Sequence, residues 1–304
     1  MILIVNPISG TRHNLNLPRM LLNKMQALGL EDVRVKLTEY GGHAFEIARE
    51  AAEHGEEAVI ACGGDGTVNE VASALKDTDT ALGILPNGSG NGLARHLGIP
   101  CDPMKAVDIL LHRDIRACDW CEADGHPFFC VFGIGFDAAV AYRFSQKKSR
   151  GLSTYVRSAI EEFRQYSPRH YTITTEEGDR YTYAMLLSVC NASQFGNNAY
   201  IAPAASMADG MMDISIVEKT NLLDYARMGV GLMAGSLRES GSLKRLRVKE
   251  AVIHREDLDP VHIDGEPKML GHDIHVKVHP GGLRIFVNPG RRPVKPWLTP
   301  LHLD

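Results

Sequence analysis

The chain has no long hydrophobic run: its longest apolar stretch, residues 128–136, is far short of the ~20 residues that a membrane-spanning helix needs. It shows no leader pattern either. Met1-Ile2-Leu3-Ile4-Val5 enters a strand at once, without a charged n-region or a small-residue cleavage site, so no signal peptide is expected. Positive charge is not in excess. Against 37 Asp and Glu stand 33 Lys and Arg, a net charge of −4, which argues against a general nucleic-acid binder. Any contact with acidic lipid must then come from local basic patches, for which Lys147-Lys148-Ser149-Arg150 and Lys244-Arg245-Leu246-Arg247 are the candidates; the plainer reading of each is a solvated surface. Six cysteines (62, 101, 118, 121, 130 and 190) are scattered among apolar neighbours and form no zinc-ribbon pattern. Cys118-Asp119-Trp120-Cys121 is a lone C-x-x-C, open to a functional reading but more simply a buried reduced pair in a cytoplasmic protein. The 13 histidines are dispersed, with no H-E-x-x-H. Internal repeats, low-complexity segments and long linkers are also missing.

What is present is an ordinary globular composition, 44% hydrophobic and 23% charged, over 304 residues. That length exceeds the usual single domain and predicts two. The first third alternates strand and helix patterns: strands at 2–5, 33–37, 58–62 and 82–85, helices from Leu17, Ala44, Thr67 and Leu93. Alternation with short links implies a parallel sheet covered on both faces, with ligands at the carboxyl ends of its strands. From about residue 115 strand patterns dominate: 128–132, 171–175, 183–189, 212–217, 246–253, 261–263, 274–278 and 283–287, interrupted by helices at 155–166 and 222–234. The expected architecture is an α/β domain over 1–120 and an antiparallel, β-rich domain over 121–287. The basic, proline-rich tail, 288–304, either packs back on the first domain or is a solvated end.

Two glycine turns fall at the carboxyl ends of neighbouring strands. After the strand 58–62 comes Gly63-Gly64-Asp65-Gly66-Thr67-Val68-Asn69-Glu70; after 82–85 comes Pro86-Asn87-Gly88-Ser89-Gly90-Asn91-Gly92. Glycine lets backbone approach a ligand, and the helix that follows offers unpaired N–H groups and the positive end of a dipole, which suits phosphate. One such turn is weak evidence, because turns need glycine anyway. A pair, with a carboxylate in one, is strong. Asp65 repels an anion, so its presence points to a Mg²⁺ ion or a proton at the same place.

Asn6-Pro7-x-Ser9-Gly10, then Gly63-Gly64-Asp65-Gly66-Thr67-x-Asn69-Glu70-Val71, then Pro86-x-Gly88-Ser89-Gly90-Asn91 resemble the lipid kinase family that includes diacylglycerol, sphingosine and ceramide kinases and bacterial homologues. The resemblance continues through Asp119, Phe132-Gly133-x-Gly135-Phe136-Asp137-Ala138, Ala202-Pro203-x-Ala205-x3-Asp209-Gly210-x2-Asp213 and Asp264-Gly265-Glu266, in order over nearly the whole chain. It implies an N-terminal α/β domain with a parallel Rossmann-like sheet and a C-terminal antiparallel β-sandwich-like domain, with the active site in the cleft between them. It implies ATP and Mg²⁺ as cofactors and phosphate transfer to a lipid hydroxyl, from diacylglycerol or a sphingoid base, by a cytoplasmic enzyme that meets a membrane surface transiently. A homodimer is compatible with it.

By the same resemblance Asp65 is an essential carboxylate beside the γ-phosphate and Glu266 a general base or a member of the metal network; which of the two takes the proton stays open. Asp119, Asp209 and Asp213 would join Asp65 in holding or orienting Mg²⁺. Nucleotide contacts fall on Asn6, Ser9, Gly10, Arg12, Thr38, Gly63, Gly64, Gly66, Thr67, Gly88, Ser89, Gly90 and Asn91, and substrate contacts on Glu70, Asp137 and Arg157. Plainer readings stand beside these. Asp209-Gly210 and Asp264-Gly265 are also ordinary hairpin turns, Asp213 a cap, and Asp119 a structural hydrogen-bonding group.

The chain departs from the family in places. Many diacylglycerol kinases carry Asp where Gly92 stands, and its absence weighs against diacylglycerol as the acceptor. Thr11, followed by Arg12, replaces a basic residue, and Arg157 replaces a lysine; arginine and lysine differ in geometry. A soluble-substrate kinase of NAD kinase type and a catalytically silent lipid-binding regulator are the alternatives. Asn69-Glu70-Val71, the second turn and the 202–213 motif speak against the first, and the presence of both Asp65 and Glu266 against the second.

Overall fold

The computed structural model describes residues 1–10, 16–147 and 151–289. The chain forms two compact units, one of Met1–Asp119 with residues 281–289, the other of Trp120–Pro280.

The first unit is built on repeated strand–helix steps: β1 (Ile2–Val5), α1 (Leu17–Ala27), β2 (Arg34–Leu37), α2 (His43–Glu53), β3 (Ala58–Gly63), α3 (Asp65–Leu75), β4 (Ala81–Pro86), α4 (Gly92–His96) and α5 (Pro103–Leu111). β1, β3 and β4 are buried along their whole length, which their continuous apolar runs require, while β2 at the edge is largely exposed. β1 pairs in parallel with β2 and β3, and β3 with β4. The helices cover the sheet with the faces their spacing marks: Leu21 and Met25 on α1, Ala44, Ala48 and Ala51 on α2, Val71, Ala72 and Leu75 on α3. Parallel order in β1, β3 and β4 sets the carboxyl ends of the three strands side by side, and with them the loops 6–10, 63–64 and 87–91. α3 begins at Asp65, two residues before the expected start, so the turn is Gly63-Gly64 and Gly66 already belongs to the helix. α5 is an addition to the sequence reading; Asp102 caps it by accepting from the Met104 N–H at 2.9 Å, with Pro103 opening it.

β5 (Ile115–Ala123) leads into the second unit, which continues through β6 (His126–Phe128), β7 (Val131–Gly135), α6 (Phe136–Ser145), α7 (Leu152–Phe163), β8 (Arg169–Thr175), β9 (Gly178–Cys190), β10 (Met212–Glu218), α8 (Leu222–Ala234), β11 (Leu243–Val248), β12 (Glu250–Arg255), β13 (Val261–Ile263), β14 (Glu266–Lys268) and β15 (Asp273–Phe286). Its pairings are antiparallel. β9 is central, bonded to β8 and β7 along successive halves of one edge and to β10 on the other. β13 pairs with β7 and β14, β12 with β8 and β15, and β10 with β11. The core between them is aliphatic and aromatic, including Phe128, Phe132, Ile173, Leu187, Ile214 and Ile253.

Three strand expectations change. The run 128–132 divides between β6 and β7, and 246–253 between β11 and β12, with Lys249 outside both. Conversely, 274–278 and 283–287 are parts of the single strand β15, which carries His279-Pro280-Gly281-Gly282 within it and ends in the first unit, where Ile285 lies parallel to Leu82. α6 adds a third helix to the two expected. Of the tail, residues 290–304 lie outside the described residues.

Candidate active site

Three loops meet at the carboxyl edge of the parallel sheet. Asn6 leaves β1 with its N–H on the Cys62 carbonyl (2.9 Å), while its side-chain Nδ2 donates to Thr67 Oγ1 (3.0 Å). Its Oδ1 accepts from the Ile8 N–H, and its carbonyl from Ser9 Oγ. Asn87 then ties the loops together: its N–H donates to the Gly63 carbonyl at 2.7 Å, and its Nδ2 to Ser9 Oγ at 3.0 Å. Gly10 faces the carbonyl of Asn87. Thr38, just past β2, donates its N–H to the Val5 carbonyl.

Asp65 binds the two glycine turns to each other. One carboxylate oxygen accepts from the Asn91 N–H at 2.9 Å, the other from the Gly92 N–H at 2.7 Å, so the first residue of α3 caps the start of α4. The carboxylate therefore has a structural reason to be there beside the chemical role expected of it, and its type alone does not reveal that. Two glycines make the approach feasible. A Cβ on Gly88 would lie 2.5 Å from Gly64 Cα, and one on Gly90 would lie 2.6 Å from Asp65 Oδ2. Asn91, with φ +52°, closes the second turn by exchanging hydrogen bonds with the Gly88 N–H and carbonyl. Arg95 Nε holds the Gly90 carbonyl at 2.9 Å. Ser89 is exposed at the tip, and Thr67 is buried beneath. Cys62, buried at the end of β3, has its thiol pushed up to about 12 by burial, so it stays protonated. None of the six cysteines is in a disulfide, and Cys118 and Cys121 are both buried.

Glu70 accepts from the Gly42 and Ala44 N–H groups, at 3.0 and 3.2 Å, and thereby caps α2 from α3. Its two oxygens serve the scaffold, a use its expected substrate role did not foresee. Asp119 is 3% exposed and accepts from the Gly281 N–H at 2.8 Å. Arg12 and Thr11 lie outside the described residues.

In the second unit Asp137 is buried at the start of α6, accepting from Ser188 Oγ at 2.8 Å and from the Ala138 N–H at 2.9 Å. Arg157 stands out from α7, 80% exposed, on Glu161. Asp209 and Asp213 share Arg247: Nη2 donates to Asp209 at 2.6 Å, and Nε lies 3.8 Å from Asp213. Burial pushes the Asp213 carboxyl above its ordinary value, against the pull of Arg247 and with Asp209 adding to the rise. Glu266 is exposed at the start of β14, immediately after the two-residue turn Asp264-Gly265. Asp264, φ +49°, accepts from three backbone N–H groups, those of Phe129, Cys130 and Val131, all within 2.9 Å. Sequence reading gave Asp264 no role beyond its motif, and placed Arg247 in a basic patch without foreseeing its pairing with Asp209 and Asp213. Among the described residues, no group of three or more His, Cys, Asp or Glu side chains is arranged to hold a metal ion.

Adjacent strand ends of the parallel sheet thus carry two glycine turns joined by one carboxylate. The diacylglycerol kinase catalytic domain model matches residues 1–123, and the model of the YegS C-terminal NAD kinase beta sandwich-like domain matches residues 130–287. The chain belongs to the YegS-like and diacylglycerol kinase family of lipid kinases, and is a kinase. A protein named "Probable lipid kinase YegS-like" from Chromohalobacter salexigens is 31% identical over 84% of this chain and 84% of its own length. The diacylglycerol kinase of Bacillus subtilis is 28% identical over 87% of this chain and 88% of its own. The crystal structure of a diacylglycerol kinase from Bacillus anthracis superposes with a TM-score of 0.73 at 22% identity, covering 95% of this chain and 96% of that one. An NAD kinase from Archaeoglobus fulgidus, crystallised with ATP, shares the fold at a TM-score of 0.54 and 11% identity, covering 96% of this chain and 95% of that one.

Proposed function

We propose that this kinase transfers the γ-phosphate of ATP to the hydroxyl of a lipid. The observation that carries the reading is the Asp65 bridge, which fixes both glycine turns beside the N-terminus of α3. In this reading the phosphates lie against Gly63, Gly64, Gly66, Thr67, Gly88, Ser89, Gly90 and Asn91, and Asn6, Ser9, Gly10 and Thr38 face the rest of the nucleotide. Backbone held rigidly around a phosphate needs no reorganisation as charge moves, and that is the larger part of phosphoryl-transfer catalysis.

A lipid hydroxyl is too weak an acid to ionise before attack, so a carboxylate must take its proton as transfer proceeds. Both oxygens of Asp65 already accept hydrogen bonds from the second turn, which favours the exposed Glu266 for that task. The donor set fits a Mg²⁺ ion that arrives on the nucleotide: such an ion is held by one or two carboxylates and the phosphates, not by a protein cage. In this reading Asp65 and Asp119 are the carboxylates that would hold it. Asp209 and Asp213, neutralised by Arg247, suit it less. When bound, the ion would offset charge on the β- and γ-phosphates.

A membrane surface as the place of encounter draws support from α8. Of its 13 residues only Ala234 is buried, and Leu222, Leu223 and Val230 stand exposed. The basic runs give less support. Lys244, Arg245 and Arg247 bind Glu218, the Ile201 and Leu237 carbonyls, and Asp209; Lys147 binds Glu161, and residues 148–150 lie outside the described residues.

The test is transfer of label from γ-labelled ATP with Mg²⁺ to micellar diacylglycerol, monoacylglycerol, sphingosine, ceramide and undecaprenol, with NAD as soluble acceptor. Label in one lipid is the expected result. Label in NAD alone would overturn the lipid acceptor.

A further inference from the structure

We propose that His262 is a positioning residue for Glu266, acting through the Gly265 N–H; the inference rests on the reading of Glu266 as proton acceptor. β13 and β14 are joined by Asp264 and Gly265 alone, at φ +49° and +89°, with Ile263 opposite Glu266. A two-residue turn of this kind fixes the register of its strands. It does not fix where its tip stands, because no neighbouring atom approaches within 4 Å of where a Gly265 side chain would begin. Two contacts supply that. The Asp264 carboxylate gathers three amides of residues 129–131, and the Gly265 N–H donates to His262 Nδ1 at 3.3 Å.

His262 is itself held. It is 3% exposed, with the edge of Phe195 against its ring at 6.1 Å between centroids. Because Nδ1 accepts, the neutral ring carries its proton on Nε2. Nε2 faces Asp137 Oδ2 at 3.4 Å, and Asp137 is fixed by Ser188 and the Ala138 N–H. Opposite His262 in the β7 ladder stands Gly133, where any side chain would collide with the ring and with Asp137. Orientation thus passes from Ser188 and Asp137 through the imidazole to the residue before Glu266. This gives the buried Asp137 a use different from substrate contact. A small displacement of a group that must meet a proton in flight costs rate, not affinity.

Isosteres separate the two ends of the ring. Asparagine places its amide oxygen near Nδ1 and keeps the acceptor for Gly265; glutamine reaches toward Nε2, keeps the side facing Asp137 and loses that acceptor. In the full chain, on the lipid chosen by the acceptor panel, His262→Gln is expected to lower kcat about 10- to 100-fold with KM for ATP within about twofold. His262→Asn is expected to lose several-fold less kcat than His262→Gln, since it retains the acceptor for Gly265 while giving up the Asp137 contact. Amide hydrogen exchange over residues 263–268 gives a readout independent of turnover: Gly265 loses protection in the Gln variant and keeps it in the Asn variant. Equal kcat and equal protection in the two variants, or an effect of His262→Gln on KM for ATP alone, would overturn the proposal. Full activity in Glu266→Gln, or no transfer by wild type, would instead strike the assignment of Glu266 or the lipid kinase reading. Gly265 exchange then decides the His262 contact alone, loss in Gln supporting it and equal protection sinking it.

Discussion

Asp264 accepts three backbone N–H groups, whereas Asp65 accepts two and Glu70 two, so three motif carboxylates serve as anchors for other segments of backbone. Nothing in an Asp-Gly pair distinguishes an anchor from an ordinary turn residue, because the three donors lie more than 130 positions away in sequence. Asp264→Ala leaves those donors without a partner, and a part-buried orphan amide costs ~1–3 kcal/mol. A fall of that size in unfolding free energy, read by urea denaturation, is expected, with Asp264→Asn intermediate because one oxygen remains. Stability unchanged in the Ala variant would mean that water replaces the carboxylate at all three amides. That the segments Gly63–Glu70 and Gly88–Asn91 form neighbouring turns at strand ends was legible from residue type and spacing. The partners of Asp65, Glu70, Asp137 and Asp209 were not, since each is set by tertiary contact.

At the scale of elements, α4 follows the second glycine turn and ends at His96. Burial pulls this imidazole from its ordinary 6.5 down to about 4, so the folded state holds it neutral. A depressed folded value contributes stability that is fully present above about pH 6.5 and is lost as pH falls toward about 4. The thermal unfolding midpoint of wild type should therefore fall more steeply through that window than that of His96→Gln, and parallel curves would contradict the assignment. The helices α1 to α3 and the strands β1, β3 and β4 were legible because each buries one unbroken face or run; α5 was not read from the sequence. Errors came where local signals and pairing disagree. His279-Pro280-Gly281-Gly282 carries turn residues, yet β15 runs through them because its two ends pair with different partners, β12 and β4. The strand-like run 246–253 was divided for the opposite reason: β11 pairs with β10 and β12 with β8 and β15, and Lys249 is the break between two sets of partners.

For the molecule as a whole, the proposed function requires that a site for water-soluble ATP meet an acceptor held in a bilayer. No helix among the described residues is long and apolar enough to cross a membrane. α8 instead offers exposed leucines that could enter the headgroup boundary, where each partly buried apolar side chain contributes on the order of 1 kcal/mol. Replacing Leu222 and Leu223 together by aspartate should reduce vesicle-bound protein in a sedimentation assay by about tenfold or more while leaving ATP binding intact. Unchanged sedimentation would remove α8 from the account of membrane contact. The central claim is that Asp65 organises two glycine turns into one phosphate-transfer site. It is tested most directly by comparing kcat/KM of wild type and Asp65→Asn on the best lipid acceptor, with the thermal midpoint of each. A loss of about 100-fold or more with the fold retained is the expected result; activity within about threefold of wild type would contradict it.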